Sequence, residues 1–201
     1  MPFRPVVLRN GVVIDDPLGV VLGLIKSYRL DTGGPSRPES FGEPDLRRAN
    51  RDGARISAAE ITAVIERRRA IERALLAIAP DASLAGAADS VPWLPLGQLF
   101  GAFVGIRGVG MSKMTKALYR KRPALIPILD SIVQRYLEED DPGVQAPFEE
   151  RALGLVRGYR RDLDNNGAAV GAVRQELAER GYGLAEVRIL DLLILSAAAG
   201  A

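Results

Sequence analysis

The chain has no cysteine and no histidine in 201 residues, and only 5% of it is aromatic, with a single tryptophan. Without cysteine there can be no disulfide, no iron–sulfur cluster and no thiol nucleophile. Without histidine, zinc-finger ligand sets and every acid–base scheme built on imidazole are excluded, and no metal site is expected. Any catalysis rests on Asp, Glu, Lys, Arg, Ser, Thr or Tyr. Long apolar runs are missing too. The longest, Leu18–Ile25 and Leu192–Ala199, fall short of the roughly 20 residues that cross a bilayer. The N-terminus has no signal-peptide layout, so the expectation is a cytoplasmic bacterial protein, from an Ala- and Arg-rich proteome, with no membrane partner. A net charge of +2 is too small to imply a polyanionic partner by itself.

With 47% hydrophobic and 26% charged residues, the chain should fold around an ordinary core. Residues 1–16 predict a small β-hairpin. Two β-branched runs, Val6–Leu8 and Val13–Ile14, are joined through Asn10-Gly11, a pair suited to a type I′ turn. An isolated hairpin is marginal, so it must pack on a helical body. Residues 17–201 predict that body as a single helical domain, in one or two lobes, giving a mostly α fold.

Asp16-Pro17 opens a helix with Leu18, Val21, Leu22 and Ile25 at helical spacing. A Gly-, Pro- and Ser-rich loop is expected over 31–44, then a short helix over Asp45–Asn50. Ser57-Ala58-Ala59-Glu60 has capping-box spacing ahead of Ile61, Val64 and Ile65. Arg67-Arg68-Arg69, flanked by Glu66 and Glu72, reads as a solvated helix face, and Trp93, within a loop over 80–95, as a core anchor. Two or three C-terminal helices are expected, roughly over 147–163, 168–180 and 184–199.

Positive charge concentrates in one segment. Gly108-Val109-Gly110 predicts a tight turn between helices over Leu96–Val104 and Met111–Tyr119. Glycines there let backbone N–H groups approach an anion at the head of the second helix. Arg107, Lys113, Lys116, Arg120, Lys121 and Arg122 follow with no acid among them. Met111, Met114 and Leu118 form the buried face, and Lys113, Lys116 and Arg120 the wet one. A nucleic-acid backbone suits this pattern, held by Arg107, Gly108, Gly110, Ser112, Lys113, Lys116 and Arg120. Pro127 is expected to start the next helix, with Ile128, Ile132, Val133 and Tyr136 turned inward. Asp130 near its head would suit the positive end of the dipole.

Ile106-Arg107-Gly108-Val109-Gly110 between two helices, followed by Pro127-Ile128-Leu129-Asp130 and Arg135, resembles the helix–hairpin–helix DNA glycosylase superfamily. Over residues 106–135 the likeness is closest to its adenine-excising branch. The segment is also similar to an uncharacterised actinobacterial family of similar length. The resemblance implies a glycosylase-like helical domain with its hairpin and active-site segment at 96–137, and DNA as the partner. It implies Asp130 as the catalytic carboxylate, stabilising oxocarbenium character at the sugar and orienting water, on a nucleotide flipped from the stack. Ser112 stands where bifunctional relatives carry a lysine nucleophile, which implies a monofunctional enzyme without lyase activity. The cluster-binding cysteines of many relatives are missing, so no iron–sulfur cluster and no other cofactor are expected.

Asn50, in Ala49-Asn50-Arg51, is the candidate wedge for the gap left by a flipped base. No residue matches the glutamate that protonates adenine, which favours a damaged base as substrate. Two other readings stand beside this one: a non-catalytic helix–hairpin–helix DNA-binding protein, and a helical protein-interaction module whose hairpin is only architectural.

Overall fold

A computed structural model describes residues 3–28 and 37–200, so part of the loop expected over 31–44, residues 31–36, lies outside the described residues. The N-terminal hairpin pairs β1 (Val6–Val7) with β2 (Val13–Ile14) antiparallel, Val6 opposite Ile14 and Val7 opposite Val13. Its turn differs from expectation. Leu8 accepts the Gly11 N–H at 2.9 Å and donates to Val12 at 2.9 Å. Only Gly11 takes a positive φ, +82°, and Asn10 does not. This is a turn closed by a glycine bulge rather than a type I′ turn, which needs two left-handed residues.

The extra residue frees Arg9 to reach the helical body. Its guanidinium bonds Asp162 at 2.9 Å and the Gly158 carbonyl at 2.7 Å, pairs with Asp140, and lies over the Tyr136 ring. Asn166 completes the docking, accepting the Val7 N–H at 2.9 Å and donating to its carbonyl at 3.0 Å.

Helix α1 (Pro17–Tyr28) starts where Asp16 accepts the Gly19 N–H, and buries Leu18, Val21 and Ile25. Helices α2 (Glu43–Arg51), α3 (Ala58–Glu66) and α4 (Arg68–Leu76) follow. The capping box before α3 is present, with Ser57 and Glu60 bonded reciprocally, and the arginines after it are exposed. Helix α5 (Trp93–Gly101) begins earlier than the periodicity predicts, with Trp93 half-buried under the Arg157 guanidinium. Helix α6 (Met111–Leu118) comes after the glycine turn.

Helix α7 (Ser131–Tyr136) starts four residues later than expected, because Pro127–Asp130 runs without helical hydrogen bonds and Asp130 caps it. The two helices expected over 147–180 are one, α8 (Phe148–Glu179). Asn165-Asn166-Gly167 reads locally as a break, but Asn166 is turned into the hairpin contact and Gly167 sits on the solvent side, so the helix runs through. Helix α9 (Glu186–Ala199) ends the fold.

α8 packs against α5 and α9, α9 also against α1 and α7, and α2 against α6. One apolar core runs through all of these, from Val6 and Leu8 to Leu193 and Ile194. Among the described residues, no helix is long and apolar enough to cross a membrane.

Candidate functional site

The α5–α6 connection is built around a turn in which Ile106 accepts the Val109 N–H at 3.1 Å and Gly108 takes φ +82°. Buried Ile106, Val109 and Met111 anchor it from below, leaving Arg107, Gly108 and Gly110 exposed. Gly110 is the extended N-cap of α6 and has no side chain to offer, although its carbonyl accepts the Met114 N–H at 3.0 Å. Among the described residues, no acceptor meets the N–H groups of Gly110, Met111, Ser112 and Lys113. Such a group of open amides at the positive end of a helix suits an anion.

The cations behave differently from their linear pattern. Lys113 places its Nζ 2.7 Å from both carboxylate oxygens of Glu60. That carboxylate lies against Gly108 so closely that a Cβ there would push it aside, although it is the φ of +82° that calls for glycine. The Lys113 hydrogen bond, followed by the Ser57 N–H, holds the Glu60 carboxyl below the usual carboxylate range.

Arg120 bonds Asp52, which also accepts the Tyr119 hydroxyl at 2.9 Å. Lys121 is buried, 2.6 Å from Asp45. Arg122 is fully buried, and its guanidinium donates to the carbonyls of Leu75, Ile78, Pro38 and Lys121. Among the described residues Lys116 reaches only the Gly53 carbonyl, at 3.5 Å. Three of the segment's six cations, Lys113, Arg120 and Lys121, are thus met by Glu60, Asp52 and Asp45, acids that tertiary packing of α2 and α3 brings alongside α6.

Asp130 accepts the N–H groups of Ile132 at 3.0 Å and Val133 at 3.1 Å through Oδ1 alone. Among the described residues no donor meets its Oδ2. The backbone before it is clamped from two helices. Thr115 on α6 accepts the Leu129 N–H at 3.0 Å and donates to Met111, so one hydroxyl joins the hairpin helix to the Asp130 segment. Asp191 on α9 accepts the Ile128 N–H at 3.4 Å. Asn50, the expected wedge, has its amide engaged elsewhere, on the N–H of Ile56 at 2.6 Å and its carbonyl at 2.8 Å. Filling a base gap would require breaking both bonds.

Sequence reasoning missed Asp191. It sits in Val187-Arg188-Ile189-Leu190-Asp191-Leu192-Leu193, where a single acid inside an apolar helical run was the available signal. Burial, with a smaller contribution from the charge of Asp130, raises its pKa to about 7, against the opposing pull of Arg188 and of hydrogen bonds from Tyr159 and Ile128. The proton count agrees. The Tyr159 hydroxyl faces both the Val187 carbonyl, at 2.6 Å, and Asp191 Oδ1, at 3.0 Å. It has one proton, and the nearer acceptor is a carbonyl, which cannot donate. A neutral Asp191 supplies the second proton and satisfies all three groups.

The structure therefore defines a mostly helical protein with one small antiparallel sheet. The chain belongs to a family of unknown function, DUF6308, whose model it matches over residues 29–197. No curated protein and no solved structure matches it.

Proposed function

We propose that the protein binds the phosphodiester backbone of duplex DNA at the 106–113 hairpin, and that Asp130 serves there as the carboxylate of a monofunctional DNA glycosylase. The observation that carries the binding reading is the set of open amides from Gly110 to Lys113, presented at the head of α6 by an exposed turn anchored on buried Ile106, Val109 and Met111. The catalytic reading is supported by the position of Asp130, tied through Thr115 to the same helix and offering Oδ2 toward a ligand. A flipped sugar placed there would meet a carboxylate able to stabilise positive charge at C1′ and orient water. A second reading, a DNA-binding protein without chemistry, is favoured by the fact that capping α7 already accounts for Asp130.

The test is excision on duplexes carrying uracil, 8-oxoguanine opposite adenine, or alkylated purines, read by alkaline cleavage and compared with Asp130→Asn. Asparagine caps as well as aspartate, so the variant should keep its urea midpoint within about 1 kcal/mol of stability. Base loss should fall at least about 100-fold. Equal excision by both proteins rules out Asp130. Salt-sensitive binding without base loss on any lesion favours the second reading.

Glu60 gives an independent check on the interface. Glu60→Gln releases Lys113 while keeping an acceptor for the Ser57 N–H. Duplex affinity is then expected to rise about 3- to 10-fold in low salt, and the log–log salt slope to steepen by about 0.9, as one more phosphate is neutralised. An unchanged slope would mean that Lys113 takes no part.

A further inference from the structure

The loop between α2 and α3 carries an arginine in a conformation that no contact of its own side chain explains. Arg55 has φ +55°, the left-handed region that a side chain with a Cβ disfavours. Its neighbours hold it there. Ala54 is buried and donates to Ala49 at 3.0 Å, and Ile56 is buried with both backbone groups bonded by the Asn50 amide. Arg55 is thereby exposed, and among the described residues its guanidinium has no partner. The strain brings no intramolecular contact in return.

The loop runs alongside α6. Asp52 meets Tyr119 and Arg120, Gly53 meets Lys116, and Glu60 meets Lys113 and Gly108. Arg55 lies in the chain between Gly53, which meets Lys116, and Glu60, which meets Lys113 and Gly108. Arg51, at the end of α2, and Arg107, in the turn, are also exposed. Among the described residues no carboxylate lies within ion-pair distance of Arg51, Arg55, Arg107 or Lys116. These differ from Lys113 and Arg120, which Glu60 and Asp52 neutralise.

We propose that Arg55, presented by the Asn50-clamped loop and seconded by Arg51 and Lys116, is a duplex-phosphate contact adjoining the hairpin. The proposal rests on the DNA-binding reading and adds a surface that the linear pattern of cations did not include. Asn50 acts as a positioning residue, holding the loop from behind through Ile56.

Three variants test it on a plain duplex, by binding across a salt series and by thermal denaturation. Arg55→Gly removes the charge and the disfavoured conformation together. It should raise Tm while lowering affinity about 5- to 10-fold in low salt and making the log–log slope shallower by about 0.9. Arg55→Lys, which keeps the charge, should retain most of the affinity. Lys116→Ala reports on the α6 side.

Opposite movement of stability and binding in Arg55→Gly supports the proposal. If Arg55→Gly binds like the parent while Lys116→Ala loses affinity and slope, the loop contact is overturned and the hairpin reading survives. A lower Tm in Arg55→Gly would make Arg55 a structural residue and overturn the proposal as well. If the parent shows no salt-sensitive binding to duplex, both readings fall.

Discussion

Stability measured by urea unfolding is expected to fall as pH rises from about 4 to about 7, and to level off above that. The cause is Asp191, whose pKa burial raises to about 7 in the fold, with the charge of Asp130 adding to it. In the unfolded chain the same carboxyl titrates near 3.9. Between those values the folded protein holds a proton that the unfolded chain has released. Stability is therefore full below the unfolded pKa and is lost as pH climbs toward the folded one. Roughly three pH units at about 1.4 kcal/mol each bound the effect at on the order of 4 kcal/mol. The chain has no histidine to titrate in that window, and the depressed carboxyls of Glu60, Glu72 and Asp141, whose contribution has the opposite sign, act only toward its acid end.

The groups around Asp191 are Tyr159 on α8, Arg188 on its own helix and Asp130 at the head of α7. Helix α1, also packed on α9, faces it with Leu18, Val21 and Ile25, while its one charged residue, Lys26, is exposed. Asp191→Asn should flatten the profile, leaving the variant more stable than the parent at pH 8 and close to it at pH 5. A parent profile that is flat from pH 5 to 8 would mean that Asp191 is ionised throughout and the proton count at Tyr159 is wrong.

Arg122→Met should cost about 3–5 kcal/mol, a large share of the stability of a domain this size. The Leu75 and Ile78 carbonyls lie at the C-terminal end of α4, where helix carbonyls lack intrahelical donors. Arg122 caps that end with a positive charge, which the helix dipole favours, and ties it to Pro38 and to the segment after α6. Methionine fills a similar volume but strips the guanidinium from four carbonyls; Leu75 keeps the Ile78 N–H at 3.1 Å, while Ile78, Pro38 and Lys121 lose their donor, and each buried unsatisfied group costs roughly 1–3 kcal/mol. Lysine, with one ammonium in place of a planar fork, should recover only part of the loss. A midpoint shift worth less than about 1 kcal/mol in the methionine variant would show that water or rearranged side chains replace the guanidinium.

Much of the architecture was legible in the chain because it depends on interactions a few residues apart. The Ser57–Glu60 capping box, the helix opening at Asp16-Pro17, the apolar faces of α1, α3 and α6, and the glycine turn at Gly108 are set by local hydrogen bonds and by the 3.6-residue period. Local signals also misled where distant partners outweighed them. Asn165-Asn166-Gly167 reads as a helix break until Asn166 finds the backbone of Val7. Asn10-Gly11 reads as a two-residue turn until Arg9 is drawn to Asp140 and Asp162.

The candidate site divides in the same way. The chain alone determined the turn and the helix head behind it, since spacing and residue type decide these, and it placed Asp130 near a helix start, though the start lies at Asp130 and not at Pro127. Tertiary structure alone decided which charges remain available. Electrostatic pairing depends on distance in space, and Asp45, Asp52 and Glu60 lie some 50 to 80 residues before the cations they meet. It also decided that Asp191 is buried beside Tyr159, because the cost of ionising a carboxyl follows from what surrounds it when the helices close.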